Sequence, residues 1–220
     1  MKQRDVFLKS EGDAWFKRNS GRADTRYDPD SDLLLTEILA LSPESTSRTG
    51  ETTGLLEIGC GDGTRLAWLQ ENRMFNCYGV EPSEKAVAVA EKQGIAVHRG
   101  TAEHLPFDDR SLDIVVFGFC LYLCDRQDLF RIACEADRVL KNPGWLLILD
   151  FYAPMPSKRE YHHRPGLFSH KMDYTTLFKW HPGYTVYSHR LCHHSEGGYT
   201  DDSQEWIAVS VLRKDLNHDE

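Results

Sequence analysis

Short apolar runs alternate with amphipathic stretches through the middle of this 220-residue chain. The run from Leu112 to Phe117 is almost continuously apolar, which is typical of a strand that a parallel sheet buries on both faces. The stretches between the runs carry apolar residues at helical spacing. Strands are predicted at 55–58, 77–80, 95–98, 112–117 and 145–149, and helices at 64–72, 83–94 and 126–140. This alternation indicates an α/β fold with a doubly wound, mostly parallel sheet that binds ligands at the carboxyl ends of its strands.

Ahead of this core, the pattern predicts one more helix. Apolar residues from Leu34 to Leu39 share one face of a helix that Ser31 would cap and that ends at Leu41. Residues 42–53 lack apolar positions and predict a flexible connection into the first strand.

Beyond Asp150 the alternation stops. A stretch rich in proline, histidine and tyrosine runs to Tyr184, and two more strands are predicted at 185–191 and 206–212. These two strands bring the expected sheet to seven.

Composition narrows the class of protein. The formal net charge of −8 disfavours binding to nucleic acid, whose phosphates select basic surfaces. The six cysteines form no C-x-x-C pair, and most fall within predicted strands or helices, which indicates reduced, buried thiols and a cytoplasmic protein. The charged opening residues are unlike a signal peptide, and the longest apolar run is shorter than the ~20 residues that span a bilayer. We therefore expect no membrane partner.

A glycine-rich turn follows the first strand, where the segment Leu55 to Thr64 reads LLEIGCGDGT. Glycines at alternate positions let a bulky ligand lie on the backbone, and the helix that follows directs free N–H groups at it. The dinucleotide fingerprint is G-x-G-x-x-G, whereas these glycines read G-x-G-x-G. The carboxylate of Glu57 would repel a pyrophosphate but attract a ligand with an ammonium and a sulfonium. The turn thus argues against a dinucleotide-dependent oxidoreductase.

Three further motifs follow the turn. Glu81 ends the second strand, close to the interval of about 20 residues expected for a ribose-binding acid. Gly100 to Phe107 reads GTAEHLPF, and Asp113 to Cys120 reads DIVVFGFC. Together the four motifs, which cover residues 55–150, resemble the class I S-adenosylmethionine-dependent methyltransferases. The segment Trp15 to Asn19 also resembles methyltransferases of surface-polysaccharide and modified-sugar biosynthesis, in which an N-terminal segment folds over the cofactor.

The resemblance implies S-adenosylmethionine as the cofactor. Glu81 would accept from both ribose hydroxyls. Relatives often have aspartate where this chain has Thr101, so the adenine contact is open between Thr101 and Glu103. Phe119 and Tyr122 would wall the methyl group or else pack in the core. The residues expected to bind the cofactor are Glu57, Gly59, Cys60, Gly61, Gly63, Glu81, Pro82, Thr101, Ala102, Glu103, Phe119 and Tyr122.

The implied reaction is an in-line displacement that moves a methyl group to oxygen or nitrogen of a small polar metabolite, with a sugar or nucleotide sugar among the candidates. A base is needed only for a hydroxyl or ammonium acceptor. The stretch from Phe151 to Tyr184 falls where the family commonly inserts a substrate-covering segment, and Arg164 and Lys171 would serve an anionic group there. For any single histidine the alternative is a packing or capping role. The candidate catalytic residues are His162, His163, His170 and Tyr174, with His181 and Asp150 as further candidates for the base.

No metal is expected. Adjacent residues on a strand point to opposite faces, so His162-His163 and Cys192-His193-His194 are poorly placed to give two ligands to one ion. The remaining alternative to an enzyme is a non-catalytic module that binds the cofactor and regulates or scaffolds a partner. The protein is expected as a monomer or homodimer with a single methyltransferase domain. Its expected parts are a helical cap and linker at 1–53, a cofactor-binding core at 54–150, and a substrate lid with the last two strands at 151–220.

Overall fold

The computed structural model describes residues 2–20, 27–41, 52–73, 75–195 and 198–216. Most of the connection predicted at 42–53 lies outside the described residues. The strands are β1 (Thr53–Ile58), β2 (Phe75–Glu81), β3 (Ala96–Arg99), β4 (Leu112–Gly118), β5 (Leu140–Phe151), β6 (Ser157–Glu160), β7 (Phe168–Lys171), β8 (Tyr184–His193) and β9 (Trp206–Lys214).

Helices flank the sheet and cover one of its ends. An N-terminal helical segment consists of two α-helices joined without a break by a π-helical turn at Phe7–Glu11. The α-helices are α1 (Gln3–Val6), α2 (Gly12–Ser20), α3 (Leu33–Ala40), α4 (Thr64–Asn72), α5 (Glu84–Lys92), α6 (Leu129–Val139) and α7 (Thr176–Lys179). Within the described residues, no helix is both long enough and apolar enough to cross a bilayer.

Seven strands form one sheet in the order β3-β2-β1-β4-β5-β9-β8, which confirms the seven-stranded, mostly parallel fold. The pairings from β3 through β5 are parallel, whereas β9 runs antiparallel to both β5 and β8. Strands β6 and β7 form a separate hairpin inserted after β5. The order reverses between β1 and β4, and ligands bind beside such a switch point in doubly wound sheets.

Alternating side chains of each central strand enter two cores. Leu56 of β1 and Val115 of β4 face the core that α6 covers, while Leu55 and Ile114 face the core that α3 and α4 cover. All four side chains are fully buried, as expected for strands covered on both faces.

The helix predicted at 126–140 is shorter than the sequence indicated. A 3-10 turn at Arg126–Asp128 leads into α6, and Leu140 already belongs to β5. The segment Asn142-Pro143-Gly144, which lies between the helix predicted at 126–140 and the strand predicted at 145–149, belongs to β5. There the pairing with β4 passes from Leu112↔Leu140 to Ile114↔Trp145. Proline donates no ladder hydrogen bond, so the extra residues bulge out and the strand continues.

The cap predicted for α3 is also one residue off. Asp32 caps this helix, because its Oδ1 accepts from the backbone N–H of Leu35 at 3.0 Å. Ser31 instead ends the 3-10 turn Pro29–Ser31. Both residue types are good N-caps, so the local sequence alone does not separate them.

Candidate active site

The glycine turn after β1 has a backbone that only glycine adopts easily. Gly59, Gly61 and Gly63 have φ angles of +78°, +57° and +74°. A Cβ on Gly59 would lie 2.8 Å from Cβ of Cys120, whereas one on Gly61 would meet nothing within 4 Å. Gly59 is therefore fixed by packing as well as by φ, and its N–H donates to the carbonyl of Val80 at 2.8 Å.

Glu81 connects this turn to the start of α5. One carboxylate oxygen accepts from the N–H of Gly61 at 3.1 Å, and the other accepts from the N–H of Ser83 at 2.8 Å. Burial raises the pKa of Glu81 to about 7, although both backbone donors favour the ionised form. The carboxylate is thus held at the switch point with its direction fixed.

One cavity is bounded by the ends of β1, β2 and β4, by the loop after β3 and by the N-terminal helical segment. Half of the predicted cofactor residues line it, and we call it the inner cavity. Its lining includes Gly59, Glu81, Pro82, Thr101, Ala102 and Glu103. One oxygen of Glu103, Oε2, is buried there without a hydrogen-bond partner. In the described part of the chain only one other buried side-chain polar atom, Nε1 of Trp145, lacks a hydrogen-bond partner. A buried acceptor without a donor is costly, which makes this oxygen a candidate for a hydrogen bond from a ligand.

The N-terminal helical segment roofs the inner cavity, to which it contributes Arg4, Phe7, Gly12 and Trp15. The carboxylate of Asp13 accepts from the hydroxyl of Ser83 at 2.7 Å and from the N–H of Lys85 at 3.1 Å. Gly12 allows this approach, since a Cβ there would come within 3.0 Å of the backbone nitrogen of Ser83.

The roof is also tied to the inserted hairpin. Arg18 donates to Glu11 at 2.6 Å and to the hydroxyl of Tyr161 at 3.0 Å, and Arg164 lies 3.5 Å from the second oxygen of Glu11. The amide of Gln3 donates to the carbonyl of Phe168 at 3.0 Å. The N-terminal segment and the hairpin therefore form one connected cover, which we call the cap.

A second cavity, the outer cavity, lies beyond the glycine turn. Glu57 is 4% exposed at its edge and forms an ion pair with Nη1 of Arg65, whose Nε also donates to Asp32 at 2.8 Å. Tyr27 donates to the same Asp32 oxygen at 2.7 Å. Burial raises the pKa of Glu57, and the charge of Arg65 opposes that rise. A cation of the protein itself therefore lies beside Glu57, and the sequence pattern did not predict it. Of the predicted residues, Glu57, Gly59, Cys60, Gly61 and Phe119 line this cavity.

Gly63 lines neither of these two cavities. Its Cβ would lie 2.9 Å from Cβ of Ala90, so this glycine lets α4 start close against α5. The third glycine of the motif thus acts in helix packing, and its predicted contact with the cofactor has no counterpart in the cavity linings.

A third cavity, the histidine cavity, adjoins the outer cavity through three shared residues, Trp15, Asn19 and Phe119. Phe119 has a φ of +50°, an uncommon conformation for a residue with a side chain, and its N–H donates to Leu149 at 2.8 Å. The indole of Trp15 donates to the hydroxyl of Tyr122 at 3.3 Å. These aromatic side chains form the wall between the two cavities.

Three of the predicted catalytic residues line the histidine cavity. His162 and His163 are exposed and lie against each other with ring centroids 3.7 Å apart. His170 is half-buried, and burial, reinforced by the charges of Arg126 and Lys158, lowers its pKa to about 4. His170 is therefore neutral at physiological pH and has a free acceptor for a proton, but its basicity is weak.

Tyr174 does not line any of the three cavities. It is 4% exposed in the core beneath α6, where its hydroxyl donates to the carbonyl of His170 at 3.1 Å and accepts from Arg126 at 3.2 Å. Burial also raises its pKa. Its assignment as a catalytic candidate is therefore corrected, because a tyrosine in this setting supports the backbone of His170 and does not reach a substrate.

The other two candidates for the base, Asp150 and His181, already accept hydrogen bonds from backbone N–H groups. Asp150 is 2% exposed and accepts from the N–H groups of Leu121 and Phe151, both at 2.8 Å, which fixes the turn that carries Tyr122. Burial raises the pKa of Asp150 to about 7 against these donors. His181 accepts from the N–H of Gly183 at 3.1 Å, away from the histidine cavity.

His194 lines the histidine cavity although the sequence analysis considered it only as a metal ligand. Its ring lies 4.9 Å from that of Phe151 and 5.6 Å from that of Phe119. It follows β8, and β8 reaches this end of the sheet only through its pairing with β9. The only sequence signal for this residue was the pair His193-His194. Its position beside the cavity depends on the antiparallel pairing of β8 with β9.

Residues 56–148 match the family model described as a methyltransferase domain. An uncharacterized methyltransferase of Bacillus subtilis, YcgJ, is 37% identical over 112 residues, which cover 46% of this chain and 41% of that protein. The uncharacterized protein Rv2003c of Mycobacterium tuberculosis is 32% identical, and the region that matches this chain covers 41% of that protein. The chain thus spans less than half the length of these curated relatives.

Solved structures match more of the chain. A chain from the complex between the Haloferax volcanii Trm112 methyltransferase activator and the putative methyltransferase aligns with a TM-score of 0.68 at 18% identity, covering 97% of this chain and 100% of that one. The shared fold, the glycine turn and the family match agree. Residues 56–148 thus match a methyltransferase domain, and the chain shares its fold with solved S-adenosylmethionine-dependent methyltransferases.

Proposed function

We propose that this protein transfers the methyl group of S-adenosylmethionine to oxygen or nitrogen of a small polar metabolite, with sugars and nucleotide sugars among the candidates. The observation that carries the proposal is that the three cavities adjoin one another. The inner cavity, the outer cavity and the histidine cavity all include Trp15, so a bound cofactor and an acceptor would share one wall.

The inner cavity suits the adenosine half of the cofactor. We assign the orphaned oxygen of Glu103 to the adenine amine, which is a donor, and the carboxylate of Glu81 to the ribose hydroxyls. Pro82, Thr101 and Ala102 complete the walls around the ring. The pairing of a buried acceptor with a ligand donor explains why this oxygen has no partner within the protein.

The outer cavity suits the amino-acid half. Arg65 offers a cation for the carboxylate there, and Glu57 offers an anion for the ammonium. Cys60 and Gly61 bring the backbone close to both. Each charged group of the amino-acid half would then lie beside a side chain of opposite charge at this end of the site.

S-adenosylmethionine supplies a methyl group that its sulfonium already activates. The work left to the protein is alignment and exclusion of water, which contributes on the order of 7–11 kcal/mol when reactants are well oriented. Phe119, Tyr122 and Trp15 provide an apolar wall for this step. For a hydroxyl acceptor, the imidazole of His162, His163 or His170 would take the proton.

Glu103→Leu is expected to weaken binding of S-adenosylhomocysteine by about 1–3 kcal/mol, because the adenine amine loses its acceptor. The same change is expected to raise the free energy of unfolding of the free protein, because it removes a buried oxygen without a partner. Calorimetry and urea unfolding measure the two effects. Thr101→Val is the matched control, and a larger loss of affinity there would move the adenine contact to Thr101.

Glu81→Ala is expected to weaken the same binding by about 1–3 kcal/mol, since the ribose hydroxyls lose their acceptor. Glu81 also holds Gly61 and Ser83, so circular dichroism must show an intact fold. Unchanged affinity in a folded variant would contradict the ribose assignment.

The deciding experiment is calorimetry with S-adenosylmethionine, S-adenosylhomocysteine and NAD in parallel, followed by transfer of a radiolabelled methyl group to nucleotide sugars and other polar metabolites. Micromolar binding of the first two with methyl transfer would support the proposal. Binding without transfer to any acceptor would favour a non-catalytic cofactor-binding module. Binding of NAD alone would contradict the proposal.

A further inference from the structure

We propose that the acceptor carries an anionic group, a carboxylate or a phosphate, and that Arg159 and Lys171 of the inserted hairpin bind it. This inference rests on the proposed function, because it names the substrate class of the histidine cavity. The sequence analysis assigned an anionic group to Arg164 and Lys171. The structure replaces Arg164 with Arg159, because Arg164 is bound to Glu11 and Ser10 of the cap.

Arg159 and Lys171 lie on one face of the β6–β7 hairpin. Arg159 pairs with Ser169 across the antiparallel ladder, and Lys171 stands two positions beyond Ser169 on the same strand. Side chains two apart on a strand share a face, as do directly paired residues. All three residues line the histidine cavity, so the hairpin presents two cations and a hydroxyl to the same space.

Neutral groups alone hold these two cations in the described part of the chain. Both bind Gln204: Arg159 donates to its side-chain oxygen and Lys171 to its backbone carbonyl. Lys171 also lies 5.0 Å from the ring centroid of Phe151. Among the described residues neither cation has an acidic partner within ion-pair distance, in contrast to the cap arginines Arg18 and Arg164.

The environment of Lys171 disfavours its charge. Lys171 is half-buried; burial and then the charge of Arg159 lower its pKa, while Glu205 and Asp202 oppose this from a distance. Two cations that share a cavity without a counter-ion raise the free energy of the empty site. A bound anion relieves this repulsion and gains charge-assisted hydrogen bonds from both.

The rest of the cavity agrees with an anionic acceptor that also has a flat or apolar part. Glu160 is the one carboxylate among the described residues that line it, and Glu160 is exposed at the rim. Tyr122, Phe151 and Trp15 form the wall on the side of the outer cavity. The cavity is thus cationic at the hairpin and aromatic near the cofactor, within a chain whose formal net charge is −8.

The test titrates the protein saturated with S-adenosylhomocysteine with two matched pairs of probes, benzoate against benzamide and phenyl phosphate against phenol. Calorimetry is run on the wild type and on Lys171→Met, Arg159→Gln and Lys158→Met. Lys158 is the matched control because it removes one charge from the same hairpin but does not line the cavity; its ammonium lies 3.6 Å from the ring centroid of Phe168.

The wild type and Lys158→Met are expected to bind at least one anion about tenfold more tightly than its neutral partner, and the other two variants are expected to lose that preference. The benzoate and phenyl phosphate arms decide between carboxylate and phosphate. Equal or undetectable binding of anionic and neutral probes by the wild type would overturn the proposal, as would an equal loss in Lys158→Met.

Affinity for S-adenosylhomocysteine is measured first on every protein. Its loss in the wild type would count against the proposed function, and its retention without anion preference would count against this inference alone.

Discussion

Arg65→Met is expected to lower the free energy of unfolding by about 3–5 kcal/mol at pH 8, the usual cost of removing one partner from a buried ion pair. Arg65 is the shared cation of Glu57, which is buried, and of Asp32, which is partly buried, at the edge of the outer cavity. Without the guanidinium, these two neighbouring carboxylates would have no counter-ion. Urea unfolding measures the difference from the wild type.

The loss is expected to shrink as the pH falls. Burial already raises the pKa of Glu57, and removal of Arg65 would raise it further. A carboxyl group whose folded-state pKa is raised contributes stability below its unfolded pKa and loses that contribution as the pH rises through the folded value. Protonation of Glu57 at low pH would therefore restore part of the stability of the variant.

Arg190→Met provides the matched control for this prediction. Arg190 pairs with Glu37 at 3.6 Å on the surface, where its side chain is 43% exposed. Loss of a surface pair costs at most about 1 kcal/mol and should not depend on pH in the same way. An equal loss in both variants, or one independent of pH in Arg65→Met, would show that Arg65 is not neutralising Glu57.

Gly59→Ala is expected to destabilise the protein by about 2–5 kcal/mol and to weaken the binding of S-adenosylhomocysteine at least about tenfold. Two costs add at this position: about 1–2 kcal/mol for a left-handed backbone and about 1–3 kcal/mol for overpacking. The overpacking arises because the new Cβ would lie 2.8 Å from Cβ of Cys120. Urea unfolding and calorimetry measure the two effects.

Gly61→Ala separates these costs. Its φ of +57° is also left-handed, but a Cβ there would meet nothing within 4 Å. The variant is therefore expected to lose only the backbone contribution of about 1–2 kcal/mol. If Gly61→Ala were the more destabilised variant, the close packing of Gly59 against Cys120 would not be a constraint on the turn.

The sequence predicted the core of this fold well because its signals are local. The helix predicted at 64–72 has the same bounds as α4, and the strand predicted at 112–117 is one residue shorter than β4. Glycine spacing and a buried apolar run depend on neighbouring residues alone. The order of motifs then indicated the sheet, because a parallel crossover places consecutive strands in a restricted set of positions.

The site residues that the sequence analysis missed depend on contacts between distant parts of the chain. Arg65 is the second residue of α4, and nothing in the local sequence indicates that its side chain reaches back to Glu57 and Asp32. His194 comes to its cavity only through the antiparallel end of the sheet. The prediction of Tyr174 as a catalytic residue also depended on distant contacts. The local sequence of an aromatic residue in a histidine-rich stretch does not show whether the side chain packs in a core or lines a cleft.

The cap has a consequence for the binding of the two ligands. It spans the inner cavity through the N-terminal helical segment and the histidine cavity through the inserted hairpin. The ion pair of Glu11 with Arg164 and the hydrogen bond of Arg18 to Tyr161 join the two parts. A nucleoside bound in the inner cavity would lie beneath this roof, and a movement of the roof would be transmitted through these contacts to a wall of the histidine cavity. We therefore expect the binding of the cofactor and the binding of the acceptor to be energetically coupled through the cap.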